Sequence, residues 1–314
     1  MKSYKGFDKK LKCRDFQYEI GKEYEMDGEI KVCSRGFHAC ESPFDVFDYY
    51  TMIDSRFCEV EQDGNISKWD RGTKICSSKI KIKAELKLAD MINLGVEWLK
   101  EITSPEKIKT SIKDNSSGNN AQIGSSGYGA KIGSSGDGAQ IGSSGNNAQI
   151  GSSGNNAKIG SSGDGAQIGS SGYDARIGSS GYGAQIGSSG YDARIGSSGN
   201  NAKIGSSGYG AQIGSSGDGA QIGSSGDEAK ISSSGYGAKI DSTGEDCVIM
   251  CAGINSVAKA SKGSWVTLSE WSYSEEKQRY IPICVKTEFV DGEKIKADTY
   301  YSLKGGVFVE WIND

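Results

Sequence analysis

The sequence is poor in proline and histidine, and it has no long apolar run. Its 314 residues include 3 prolines and a single histidine, against 46 glycines. Chains that are flexible and rich in glycine and serine usually contain proline as well, so the glycines have another use here. Because His38 is the sole histidine, any site that needs two histidines is excluded. No segment approaches the ~18 apolar residues of a membrane-spanning helix, and the first residues show no apolar core of a signal peptide.

Charge and cysteine spacing exclude further classes. The formal net charge is −4 and the isoelectric point is about 5.4, so bulk electrostatics do not favour binding to nucleic acid or to a membrane surface. None of the 8 cysteines forms a Cys-x-x-Cys pair, which argues against a zinc site. We therefore expect a cytoplasmic protein with reduced thiols, no metal site and no resident cofactor.

A nine-residue repeat occupies the middle of the chain. Isoleucine returns at every ninth position from Ile123 to Ile249, fifteen times in all. Alanine precedes most of these isoleucines by two positions, with Gln, Lys or Arg between them. Alternate residues of an extended strand share one face, so Ala and Ile would point inward and the polar residue outward. The rest of each unit, Gly-Ser-Ser-Gly-x-x, has the composition of a turn.

This regularity predicts a parallel β-solenoid over residues 111–253 rather than a flexible linker. The unit resembles the nine-residue repeat GGxGxDxUx of calcium-bound parallel β-rolls, which place two units in each coil. Only Asp174 and Asp192 match the calcium-ligand position of that repeat, so calcium is not expected. We favour two units per coil. Three units per coil is the alternative, because Tyr-Gly and Asp-Gly pairs recur at multiples of 27 residues.

The variable positions of the repeat carry candidate binding residues. Large side chains there would be exposed on the solenoid surface, and tyrosine and arginine are common anchors of protein interfaces. We predict that they contact a protein partner. A spacer between the end domains and a solenoid that assembles into homo-oligomers are the alternatives. The candidate residues are Tyr128, Tyr173, Tyr182, Tyr191, Tyr209, Tyr236, Arg176 and Arg194.

Residues 1–110 have a different composition, charged and aromatic, and they predict an α+β head domain. Strands are predicted at 2–7, 16–24, 31–33, 37–39, 56–62 and 75–86. A helix is predicted from Ser42 and Pro43 to residue 50, because serine caps helices and proline suits the first turn. A second helix is predicted at 88–102. The head domain would close one end of the solenoid.

The stretch GFHACESPFDVFDYY in the head holds His38 and ends in Tyr50. A strand, a tight break, a helix and a Tyr-Tyr pair, with an aromatic residue on the first strand, resemble the layout of ADP-ribosyltransferase folds. That resemblance implies NAD as cofactor and makes Tyr4, His38 and Tyr50 candidates for binding the nicotinamide. Glu59 or Glu61 would orient the ribose. The alternative for His38 is a structural role, and the remaining motifs define no catalytic constellation.

The last part of the chain, residues 254–314, predicts a β-rich domain that caps the solenoid. A strand is predicted at 264–271. A hairpin is expected to join 280–289 to 294–301 across Val290-Asp291-Gly292-Glu293, because Asp-Gly is a strong turn signal. A further strand is predicted at 307–311. The fold class is therefore mainly β, a parallel β-solenoid flanked by an α+β head and a β-hairpin tail.

Several motifs arrive in a fixed order along the chain: YKGF, CRDFQYEIGKEYE, GFHACESPFDVFDYY, the repeats, GSWVTLSEW and VKTEFVDGEKIKADTYY. Together they resemble an uncharacterised family that occurs in bacterial, phage and prophage genomes. The resemblance implies no activity, and it favours an accessory role such as inhibition of a host defence protein. We therefore expect a non-enzymatic binding or scaffold protein, with an ADP-ribosyltransferase-like enzyme in the head as the alternative.

Overall fold

A computed structural model describes residues 1–52, 54–69, 73–102, 115–116 and 118–312. The chain forms two compact units, Met1–Trp98 and Leu99–Asp314. The predicted tail at 254–314 lies in the same unit as the repeats. No helix in these described ranges has the length and apolar character to cross a membrane.

The head unit is built on an antiparallel sheet. Its strands lie in the order Glu23–Glu25, Lys74–Leu86, Phe37–Cys40, Lys2–Phe7 and Arg56–Lys68. The last strand also pairs with Lys74–Leu86, so that four of the five strands close into a ring. Phe7, Val60 and Ile82 are buried in its core. The strands are β1 (Lys2–Phe7), β2 (Lys12–Cys13), β3 (Phe16–Gln17), β4 (Glu23–Glu25), β5 (Phe37–Cys40), β6 (Arg56–Lys68) and β7 (Lys74–Leu86).

Most predicted elements of the head are present, with three differences. The strand predicted at 16–24 is broken into β3 and β4, because Gly21 turns the chain at φ 85°. The strand predicted at 31–33 is wrong: the chain turns there, with one bridge between Lys31 and Arg35 and with Cys33 at φ 64°. The helix after Pro43 is a short 3-10 helix, Phe44–Asp48. The second helix, α1, spans Leu88–Ile102 as predicted.

The repeats form a parallel β-solenoid with two units per coil. Each strand pairs in register with the strand 18 residues away, as in Ile159↔Ile177 and Ile168↔Ile186, so three units per coil is wrong. Alternate units build two sheets. Sheet 1 contains Gln122–Ser125, Gln140–Ser143, Lys158–Ser161, Arg176–Ser179, Arg194–Ser197, Gln212–Ser215, Lys230–Ser233 and Val248–Cys251. Sheet 2 contains Asn115–Ser116, Lys131–Ser134, Gln149–Ser152, Gln167–Ser170, Gln185–Ser188, Lys203–Ser206, Gln221–Ser224, Lys239–Ser242 and Val257–Ala260.

Isoleucine, alanine and glycine each have a distinct place in the coil. Ala166 and Ile168 are fully buried, as the alternation predicts. A Cβ atom on Gly163 would collide with the carbonyl oxygen of Gly145 one coil away, so the glycine before each variable pair permits close stacking. The second residue of each pair has positive φ, as at Asp174 (53°), which favours Gly, Asn or Asp there.

The tail extends both sheets, but its hairpins differ from the prediction. Trp265–Ser274 continues sheet 1 and pairs antiparallel with Arg279–Phe289. The hairpin expected across 290–293 is wrong, because the Asp291 carboxylate accepts hydrogen bonds from the backbone N–H groups of Glu293 and Ile295 and holds a wider loop. Sheet 2 ends in a second hairpin, Tyr301–Lys304 with Val307–Glu310.

Candidate functional site

The two-unit coil distributes the predicted tyrosines over two edges of the solenoid. We call the turns that enter sheet 1 the near edge and the turns that leave it the far edge. The near edge carries Tyr173, Tyr191 and Tyr209 on three successive coils, because these residues are 18 apart. The far edge carries Tyr128, Tyr182 and Tyr236, which are three coils apart. The six tyrosines share one position of the nine-residue repeat, but the structure places them on two different edges of the solenoid.

Asparagine and aspartate at the first variable position join successive coils. The side-chain oxygen of Asn155 accepts the backbone N–H of Tyr173 at 2.9 Å, and Asp164 does the same for Tyr182 at 2.8 Å. Tyrosine cannot reproduce this contact, because it has no acceptor close to the backbone. The coils that carry tyrosine at this position, three on each edge, therefore lack this side-chain bond to the next coil, and their tyrosines have other contacts.

The far-edge tyrosines are tied into the solenoid itself. The Tyr128 hydroxyl accepts a hydrogen bond from the Asn147 side chain at 2.7 Å. Equivalent contacts join Asn201 to Tyr182 at 2.7 Å and Asn255 to Tyr236 at 2.8 Å. These rings therefore have a clear structural function between neighbouring coils.

On the near edge, Tyr173 and Tyr191 stack on one another, and Tyr209 lies tilted against Tyr191. All three present their sides to solvent, and the Tyr209 hydroxyl also hydrogen-bonds the Glu228 side chain of the next coil. The ring centroids of Tyr173 and Tyr191 are 5.2 Å apart with an interplanar angle of 12°, and those of Tyr191 and Tyr209 are 6.3 Å apart. Their exposed fractions are 56%, 49% and 40%. Such a row is an amphipathic surface with little conformational freedom, which is typical of binding hot spots.

A row of cations lies beside this stack on the outer face of sheet 1. Lys158, Arg176 and Arg194 are direct neighbours in register on successive strands. Within the described ranges no ion pair joins any of these three to a carboxylate. Like charges directly opposite each other destabilise a sheet. Next to them, Gly160 and Gly178 leave a strip of open backbone that lines a shallow groove.

The head contains a pocket of about 410 Å³ that brings together Tyr4, His38 and Tyr50. The two acidic candidates do not line it. Glu59 pairs with Lys2 at 3.0 Å, and Glu61 pairs with Lys83 at 3.2 Å. The structure thus places three of the five residues suggested for the head in one cavity.

His38 is held by the backbone of the loop beside it. Its Nε2 atom accepts a hydrogen bond from the Cys33 backbone N–H at 2.9 Å. Burial, together with the positive charges of Lys74 and Lys5, lowers the pKa of His38 to about 4. The ring is therefore neutral at pH 7 and serves as an acceptor that fixes the loop.

Lys5 and Cys13, which the sequence did not single out as site residues, also line this pocket. The Lys5 side chain is buried, and its ammonium donates to the His38 carbonyl at 2.8 Å and lies 3.5 Å from the Cys13 sulfur. Burial lowers the pKa of Lys5. The Tyr50 hydroxyl donates to the same sulfur at 2.9 Å, and burial raises the pKa of Tyr50. A lysine buried on the first strand could not be distinguished from an exposed one by its local sequence.

All eight cysteines are free thiols. Among the residues that the structure describes, no group of three His, Cys, Asp or Glu side chains converges on a point where a metal ion could bind.

These features define a β-solenoid protein with an antiparallel head unit. Residues 1–94 are similar to a domain of unknown function, DUF7666. No curated protein and no solved structure matches the chain. The domain description assigns no activity, so the comparisons support neither the ADP-ribosyltransferase resemblance nor an inhibitory role.

Proposed function

We propose that this protein is a non-enzymatic binding scaffold whose solenoid docks an acidic segment of a protein partner. The docking surface, here named the tyrosine–cation face, comprises Lys158, Tyr173, Arg176, Tyr191, Arg194 and Tyr209. The observation that carries the proposal is the in-register row of three cations that has no carboxylate partner in the described chain.

Electrostatics give this face a preference for carboxylates. Adjacent strands lie ~4.8 Å apart, so cations in register on them repel one another and cost stability in the free protein. A partner segment with carboxylates at similar spacing removes that repulsion, and Arg forms bidentate hydrogen bonds with each carboxylate. The adjoining tyrosine stack supplies apolar contact area for the same segment.

A protein fits this face better than a nucleic acid does. Asp174 and Asp192 lie in the same near-edge turns as Tyr173 and Tyr191. A uniformly anionic polymer would meet these carboxylates, whereas a peptide can place its acidic residues over the arginines only. The resemblance of the chain's motifs to a family of bacterial, phage and prophage genomes supports a host protein, such as a defence protein, as the partner.

Tyrosine variants on the two edges test this proposal. A partner is first captured from host lysate, identified and purified, and its affinity is then measured by calorimetry. Replacing Tyr173, Tyr191 and Tyr209 together by serine should weaken binding at least tenfold, because roughly 1.4 kcal/mol of lost contact corresponds to that factor. Replacing Tyr128, Tyr182 and Tyr236 by serine is the matched control and should change the affinity little.

Equal losses in both triple variants, or an affinity that does not fall when Arg176 and Arg194 become Gln, would contradict the proposal. The alternatives remain predictions with tests of their own. Transfer of label from NAD to a target, abolished by His38→Ala, would favour an enzyme in the head. A mass that rises with concentration in light scattering would favour self-assembly.

A further inference from the structure

The head pocket carries positive charge without any acidic side chain in its lining. Lys5, Arg14 and Lys74 all line it, and among the described residues no aspartate or glutamate does. We propose that this pocket is a binding site for a small phosphomonoester, a ligand of about the size of a nucleoside monophosphate. The inference is independent of the function proposed for the solenoid.

These three cations have no direct ion-pair partner in the described chain, although the charges of Asp45 and Asp48 act on Cys40 and Tyr49 of the lining. No ion pair joins Lys5, Arg14 or Lys74 to a carboxylate there. The nearby Asp45 carboxylate accepts the Thr73 hydroxyl at 2.6 Å and does not line the pocket.

Lys5 is the strongest sign of an anion site. Its ammonium is buried with a backbone carbonyl at 2.8 Å, a thiol at 3.5 Å and the ring of Phe7 at 5.4 Å as its surroundings. Burying an ammonium group without an opposite charge is costly. A bound dianion would supply that charge, and Arg14 can hold two phosphate oxygens at once with its planar guanidinium.

The remaining walls include an aromatic ring that is partly exposed. Tyr49 lies at the pocket with 45% of its surface exposed, and the Lys74 ammonium sits over its ring at 4.2 Å from the centroid. The volume of about 410 Å³ is within the range of small-molecule sites. A phosphate among the cations would therefore leave room for a planar group beside Tyr49.

Calorimetric titration of the full-length protein with AMP, adenosine and inorganic phosphate tests the proposal. AMP should bind at least tenfold more tightly than adenosine, because the phosphate provides the charged contacts. Arg14→Gln and Lys74→Gln should each weaken AMP binding roughly tenfold, which corresponds to one lost charge-assisted contact. Lys87→Gln removes a charge from an exposed residue outside the pocket lining and should leave the affinity unchanged.

Lys5→Met serves as a second probe, with the far-ultraviolet circular dichroism spectrum as a check that the head still folds. A folded Lys5→Met variant should lose AMP binding. Absence of AMP and phosphate binding at millimolar concentrations would overturn the proposal. Adenosine that binds as well as AMP, or affinities that do not change in Arg14→Gln and Lys74→Gln, would also overturn it.

Discussion

At the residue scale, two glycines of the same unit have opposite environments. Gly163 stacks against the backbone of the neighbouring coil, and a Cβ atom there would meet the Gly145 carbonyl. Gly160 faces outward, with nothing within 4 Å of a Cβ atom. The repeat thus preserves glycine at one position because of close packing, while the other position is open to side chains such as Ser232 of a later unit.

Alanine substitutions at these two positions should have different effects on stability. Gly163→Ala should lower the free energy of unfolding by about 1–3 kcal/mol, because the coils must separate to admit the methyl group. Gly160→Ala should be neutral or slightly stabilising, since alanine restricts the unfolded chain more than glycine does. Urea unfolding measures both. Equal effects of the two substitutions would contradict this account of coil stacking.

His38 should make the head less stable in mild acid. Its pKa is lowered to about 4 in the folded protein, against an ordinary value near 6.5. Between these values the unfolded chain binds the extra proton and the folded chain does not, so stability falls as the pH falls from 6.5 to 4. We expect a shallower decline in the His38→Gln variant, measured by thermal unfolding of the head at several pH values. Identical slopes would show that His38 is not the group responsible.

At the scale of the strand, three cations lie in a row on sheet 1, and glutamine occupies the equivalent position on the strand to either side of them. Gln140 and Gln212 occupy the same register position as Lys158, Arg176 and Arg194. Glutamine is therefore compatible with the fold at these positions, and the charges must be explained by something other than the requirements of folding.

Replacing Arg176 and Arg194 by glutamine should stabilise the free protein. The change removes repulsion between neighbouring strands that amounts to about 0.2–1 kcal/mol. Because salt screens these exposed charges, the gain should shrink as the salt concentration rises. Urea unfolding at low and high salt measures both effects. A double variant that is less stable than the parent protein at low salt would argue against the proposed repulsion.

The sequence predicted local elements well and their long-range pairing less well. The solenoid could be predicted because one nine-residue period contains a whole structural unit, with Ile168 and Ala166 marking its buried side. The hairpin predicted across 290–293 was wrong. The Asp-Gly turn signal is local, whereas in the structure the Asp291 carboxylate accepts a hydrogen bond from the backbone N–H of Ile295 and holds a wider loop. The cations of the head pocket could not be predicted, because Lys5 and Lys74 come to line one cavity only through the order of the strands.

At the scale of the whole molecule, the tail hairpins end a stack of strands that would otherwise expose its edges. Pro282 lies on the edge strand Arg279–Phe289, where proline is tolerated because no further strand needs its missing N–H. The two hairpins turn the parallel sheets into antiparallel ends, which is one way to prevent further strand addition.

Removal of residues 254–314 should therefore cause association. The truncated chain exposes the strand edges of Val248–Cys251 and Lys239–Ser242, both of which pair with tail strands in the full protein. Light scattering should show a mass that increases with protein concentration, in contrast to the intact chain under the same conditions. A truncated protein whose mass stays independent of concentration would contradict the capping role.

Hydrogen exchange of backbone amides over residues 121–251 tests the central claim most directly. In the solenoid each strand pairs through backbone hydrogen bonds with the strand 18 residues away, and the Ile and Ala side chains are buried between the two sheets. We predict strong protection of the strand amides, with weaker protection in the turns. Exchange at the rate of an unstructured peptide throughout this region would contradict the solenoid and the tyrosine–cation face that depends on it.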